Sequence, residues 1–69
     1  MLTDGKYEYE LTNRYVIMNG AKCRRFVFVR RQIGKDKWYC IPTAPSFGTL
    51  EEAEKRFAVF AMNNNLREG

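Results

Sequence analysis

The chain has 69 residues, a net charge of +4, two cysteines and no histidine. That length allows one small domain over 1–69, with a core near the lower size limit for independent folding. Without histidine there is no Ser-His or Cys-His nucleophilic pair, and two cysteines fall short of the four ligands of a structural zinc site.

The first patterned segment runs from Tyr7 to Met18. Odd positions carry Tyr7, Tyr9, Leu11, Asn13, Tyr15 and Ile17, and even ones carry Glu8, Glu10, Thr12, Arg14, Val16 and Met18. This alternation predicts a strand over about 7–18. Asn19-Gly20 follows, and both residue types tolerate the positive φ that a two-residue hairpin turn requires. A second strand is expected over about 22–32, a turn at Ile33–Asp36, and a third strand over about 37–41. Pro42 and Pro45 end it, because proline donates nothing to a ladder. Thr49-Leu50-Glu51-Glu52 has the capping-box spacing and opens a helix over about 50–63. Glu51, Glu52 and Glu54 suit the positive end of its dipole. Leu50, Ala53, Phe57, Phe60 and Ala61 form its apolar stripe, which fades at Asn64, and Asn63-Asn64-Asn65 is expected to unwind its end. The expected fold is α+β: a three-stranded antiparallel meander, β-β-β-α, with the helix on one face.

The turns fix a register. A two-residue turn at Asn19-Gly20 sets Leu11 opposite Phe28, Tyr15 opposite Arg24, and Glu8 opposite Arg31. A turn at Gly34-Lys35 sets Phe28 opposite Ile41, Arg30 opposite Tyr39, and Arg31 opposite Trp38. Opposed residues share a face. One face then carries Leu11, Tyr15, Ile17, Phe26, Phe28, Tyr39 and Ile41 and seats the helix. The other carries Arg14, Arg25, Val27, Val29, Arg31, Trp38 and Cys40 and is left open. In this register Cys40 faces Val29, six residues from Cys23, or roughly 20 Å at strand rise. A disulfide needs Cα atoms within about 7 Å, so free thiols are expected.

Charge is the most informative pattern. Between Arg14 and Gly48 stand eight cations, Arg14, Lys22, Arg24, Arg25, Arg30, Arg31, Lys35 and Lys37, against one acid, Asp36. The glycines match neither GxGxxG nor GxxxxGK[ST], and the carboxylates at 8–10 and 51–54 fit solvated faces and a helix start. Convergent groups for catalysis are lacking, so neither an enzyme nor a cofactor is expected. No apolar stretch approaches the roughly 20 residues of a membrane span, and no apolar run follows Met1. A cytoplasmic location is expected.

Val29-Arg30-Arg31-Gln32 followed by Gly34 through Trp38 resembles the basic strand and turn of plant ethylene-response-factor (APETALA2-type) DNA-binding domains. Phe47 through Phe57 resembles their strand-to-helix junction. The arm-binding domains of tyrosine recombinases share that architecture. In these families a three-stranded sheet lies in the major groove of DNA with a helix behind it. The resemblance implies that Arg25, Arg30, Arg31, Lys37 and Trp38 contact DNA, and strand parity favours Arg25, Arg31 and Trp38. The pattern departs from the family at Pro42–Ser46, where the family has a further strand.

The expected function is nucleic-acid binding by a phage- or mobile-element-type domain, with DNA favoured over RNA. Arg25 and Arg31 would reach into a groove from the open face they share with Arg14 and Trp38, with Arg14, Lys22, Arg24, Lys35 and Lys37 positioning the domain and Arg30 also among the binding residues. The alternative is a protein-interaction module that binds an acidic partner or self-associates through a sheet edge, including as a homodimer.

Overall fold

Two twelve-residue strands dominate the fold, β2 (Tyr7–Met18) and β3 (Ala21–Gln32). The computed structural model describes all residues, Met1–Gly69. The two strands pair antiparallel along their whole length, from Tyr7 opposite Gln32 to Met18 opposite Ala21. The hinge of this register is the turn: Asn19 and Gly20 adopt φ of 52° and 78°. Two consecutive positive φ values define the type I′ turn whose twist matches paired strands.

The remaining strands are short. β1 is Leu2–Thr3, β4 is Tyr39–Cys40 and β5 is Arg67–Glu68, and the five form one antiparallel sheet in the order β4-β3-β2-β1-β5. The α+β class stands, but the sheet has five strands and not the expected three. A two-residue strand shows no alternation, so β1 and β5 leave no periodic trace in the sequence.

The third strand is also shorter than its expected span of 37–41. Its register is the expected one, with Val29 opposite Cys40 and Arg30 opposite Tyr39. The Ile41 N–H donates to the Phe28 carbonyl at 3.2 Å, and Phe26 and Phe47 exchange two bonds at 2.8 and 2.9 Å. Residues 42–46 therefore bulge out of an otherwise continuous edge, where the two prolines have no ladder bond to break.

The β1–β2 turn is held by side chains. Asp4 Oδ1 accepts from the Lys6 and Tyr7 N–H groups at 2.8 and 2.9 Å, and Oδ2 accepts from the Tyr9 hydroxyl at 2.7 Å. The Tyr7 N–H is the main reason the Asp4 carboxyl is held below its ordinary value of 3.8. Burial, and then the bond to Asp4, push the Tyr9 phenol above its ordinary value of 10.0.

The helix α1 spans Leu50–Asn63, as expected. Thr49 is extended, and its hydroxyl accepts from the Glu52 N–H at 3.3 Å. The asparagine run ends it for a specific reason. Asn65 takes φ 53°, its N–H donates to Met62, and the Leu66 N–H donates back to Ala61 at 2.9 Å. That pair of bonds is a Schellman closure. It returns Leu66 to the core and delivers β5 to the free side of β1.

The core lies between α1 and the odd-numbered face of β2. Tyr9, Phe28, Ile41, Phe47 and Ala53 are buried, with Leu11, Phe26, Phe57 and Phe60 packed around them. Phe28 is its centre, with ring centroids 5.0–5.5 Å from Phe47, Phe57 and Phe60. Ala53, on the helix face turned to the sheet, is fully buried.

Candidate nucleic-acid interface

Element lengths decide what the helix covers. Fourteen helical residues extend about 21 Å, whereas twelve strand residues extend about 40 Å. The far half of the β2–β3 ribbon therefore projects beyond the helix as an arm, and the molecule measures 38 Å along its longest axis. Tyr15 and Ile17, expected in the helix seat, are instead 61% and 71% exposed on this arm. Tyr39, also placed in that seat, is exposed at the sheet edge. Parity put all three on the expected face; the helix is too short to reach Tyr15 and Ile17, and Tyr39 lies on the edge strand β4.

The opposite face, expected to be open, is a thin second layer of packing. Val27 and Val29 lie there, and Val29 is only 1% exposed. Arginine side chains cross over them. Arg14 starts on β2 and reaches the Cys40 sulfur on β4 at 3.5 Å, so its stem passes over the intervening β3. Arg25 donates to the Ser46 hydroxyl at 3.2 Å and to its carbonyl at 3.0 Å, fastening the bulged 42–46 segment. Arg31 donates to Glu8 at 2.9 Å and stacks on the Trp38 ring at 4.7 Å. Long basic side chains bury their stems on apolar surface while the charge stays wet. Arg14 and Arg25 face one another directly, and each guanidinium finds a separate anchor, which eases the like-charge opposition.

The other basic positions divide by location. Lys22 and Arg24 are exposed on the arm, and both lie over the Tyr15 ring at 5.4 and 5.7 Å. Arg30 is half-buried over Tyr7 at 4.6 Å, beside the core. Lys35 and Lys37 are exposed past the β3 end, with Lys37 over Tyr39 at 5.4 Å. The structure thus does not gather the nine residues into one patch. It makes an arm group (Arg14, Lys22, Arg24, Arg25) and a separate group at the far end of β3 (Arg30, Arg31, Lys35, Lys37, Trp38).

Carboxylates are nearly absent from this surface. Only two ion pairs form, Arg31 with Glu8 and the Met1 amino group with Glu68. Seven of the eight cations between Arg14 and Gly48 are therefore without an acidic partner. From Leu11 to Lys35 the chain contains no Asp or Glu at all. The free thiols of Cys23 and Cys40 accord with the register. Parity reasoning missed Tyr15 as part of this surface; comparing strand and helix lengths would have found it.

No helix is long and apolar enough to cross a membrane. No family model matches the chain, and no curated protein or solved structure matches it.

Proposed function

We propose that this chain binds nucleic acid, with duplex DNA favoured, through the projecting half of the β2–β3 ribbon. One observation carries the reading: Arg14, Lys22, Arg24 and Arg25 stand on an arm, none of them in an ion pair, in a stretch from Leu11 to Lys35 that contains no acid. Cations that are not neutralised within the molecule attract a polyanion and release its counterions. The ribbon form adds geometry, because the major groove of B-DNA admits a two-stranded β-ribbon. The narrow major groove of A-form RNA does not, which favours DNA over RNA.

Lys22 and Arg24 are the free groups and take phosphates. Arg14 and Arg25 lie on the other side of the ribbon, and their guanidinium groups are the candidates for base edges. Tyr15 offers a ring to a sugar or an unpaired base. Arg31 and Trp38, first assigned to the contact surface, hold each other and Glu8, so their role is to stiffen the sheet behind the arm.

The test is fluorescence anisotropy with a labelled duplex at low salt. Lys22→Ala with Arg24→Ala should weaken binding by at least about tenfold, since two phosphate contacts are lost. Lys55→Ala with Arg56→Ala, on the exposed side of α1, should change it by less than about twofold. Equal losses from the two pairs would reduce the interaction to general charge attraction and remove the arm as its site.

A further inference from the structure

The arm has two free edges, and they differ. β1 covers β2 only at Glu8 and Tyr9, so Glu10–Met18 lacks a neighbour on that side. On the other side, the β4 chain reaches β3 no further along the arm than Phe26, leaving Ala21–Arg25 free. The β3 edge carries Lys22, Arg24 and Arg25, the kind of charged residue that blocks edge-to-edge pairing. The β2 edge from Leu11 to Met18 reads Leu-Thr-Asn-Arg-Tyr-Val-Ile-Met. It has one charge, no lysine and no proline, and no bulge interrupts its pairing with β3.

Ladder parity fixes which groups this edge presents. The Lys6 carbonyl accepts from Ile33, on the β3 side, and the Tyr7 carbonyl accepts from Asp4, on the β1 side. Antiparallel residues alternate between the two sides. The N–H and C=O groups of Leu11, Asn13, Tyr15 and Ile17 therefore point out of the sheet. An edge of this kind, rich in β-branched and aromatic residues, is a template for another strand.

We propose that the β2 edge pairs antiparallel with the β2 edge of a second copy, joining two sheets into one. The sequence itself argues for a second copy. Outward groups must meet outward groups, so the two-fold axis falls on a single residue. An axis at Arg14 would set Arg14 against its own copy, which like-charge repulsion opposes. An axis at Tyr15 avoids that. It places Tyr15 against Tyr15, Asn13 against Ile17, Arg14 against Val16 and Thr12 against Met18. In that register Tyr15, Ile17 and Met18, all exposed in the single chain, gain cross-strand neighbours. The pairing does not depend on nucleic-acid binding. If both hold, the two basic arms lie side by side in opposite directions, a form suited to a two-fold symmetric duplex site.

Sedimentation equilibrium from about 1 µM to about 1 mM tests it, the range expected for a short edge-only contact. The expected result is a reversible monomer–dimer equilibrium. Tyr15→Pro removes one outward N–H while sparing the ladder to β3, because that N–H makes no bond within the chain. It should leave only monomer with the far-UV circular dichroism unchanged. Ile17→Lys places a charged guard on the same edge and should weaken the dimer at least about tenfold, which covers the case in which the proline variant fails to fold. A wild-type chain that is monomeric throughout the range overturns the proposal. So does a dimer that the Ile17→Lys variant leaves undiminished.

Discussion

Val29 and Val16 make a matched pair for testing the second packing layer. Both lie in the β2–β3 ribbon on the face away from the helix, but Val29 is 1% exposed whereas Val16, on the arm, is half-buried. Val29→Ala deletes two methyl groups, about 1.6 kcal/mol of transfer free energy at about 0.8 kcal/mol each. A residual cavity of up to about 50 Å³ adds up to about 1.2 kcal/mol. The expected loss is about 2–3 kcal/mol. Val16→Ala leaves no enclosed cavity and removes less buried surface, so its loss stays below about 1 kcal/mol. The change in strand propensity is common to both and cancels in the comparison. Urea denaturation followed by circular dichroism measures each midpoint. With a slope near 1 kcal/mol per molar for so small a domain, Val29→Ala shifts the midpoint by about 2 M and Val16→Ala by less than about 1 M. Equal shifts would mean that Val29 is not enclosed, and the face would be open as the register alone implied.

Gly20 holds φ 78° with open space around it, so Gly20→Ala has no steric clash and its whole cost is backbone, about 1 kcal/mol in the same denaturation assay. The Asp4 turn predicts a pH dependence. Its carboxyl lies below 3.8 in the fold, so the unfolded chain binds the proton more readily. The stability it contributes is complete above pH 3.8 and is lost as the pH falls through the folded value. Tyr9 acts at the opposite end: its contribution is present below pH 10.0 and is lost as the pH rises through its raised value. Thermal melts of wild type and Asp4→Asn across the acid range check the first, since the variant should flatten the curve below pH 3.8.

The long hairpin, its register and the helix were legible because each rests on a local signal: period-two alternation, a type I′ turn sequence, and a threonine cap. β1 and β5 were illegible because two residues carry no period, and β5 is brought to the sheet by Asn65 turning left-handed after the helix. Pro42 and Pro45 marked the end of the third strand but not the return of the chain to Phe26 at Phe47. For the surface, the parity of Arg14 and Arg25 was read correctly from the sequence. What they touch was not, because Ser46 and Cys40 arrive from a different edge. Arg31 was the most legible of them: the register sets it opposite both Glu8 and Trp38, and its guanidinium meets both.

The salt dependence of duplex binding tests the central claim most directly. The two phosphate-binding cations, Lys22 and Arg24, each displacing counterions from one phosphate, give a slope of about −1.8 in log K against log salt. Affinity for a labelled duplex should therefore fall by about tenfold between about 50 and 200 mM salt, and Lys22→Ala with Arg24→Ala should remove most of the slope. No binding at about 50 mM, or a slope that the double variant leaves unchanged, would contradict the assignment of the arm as a nucleic-acid-binding element.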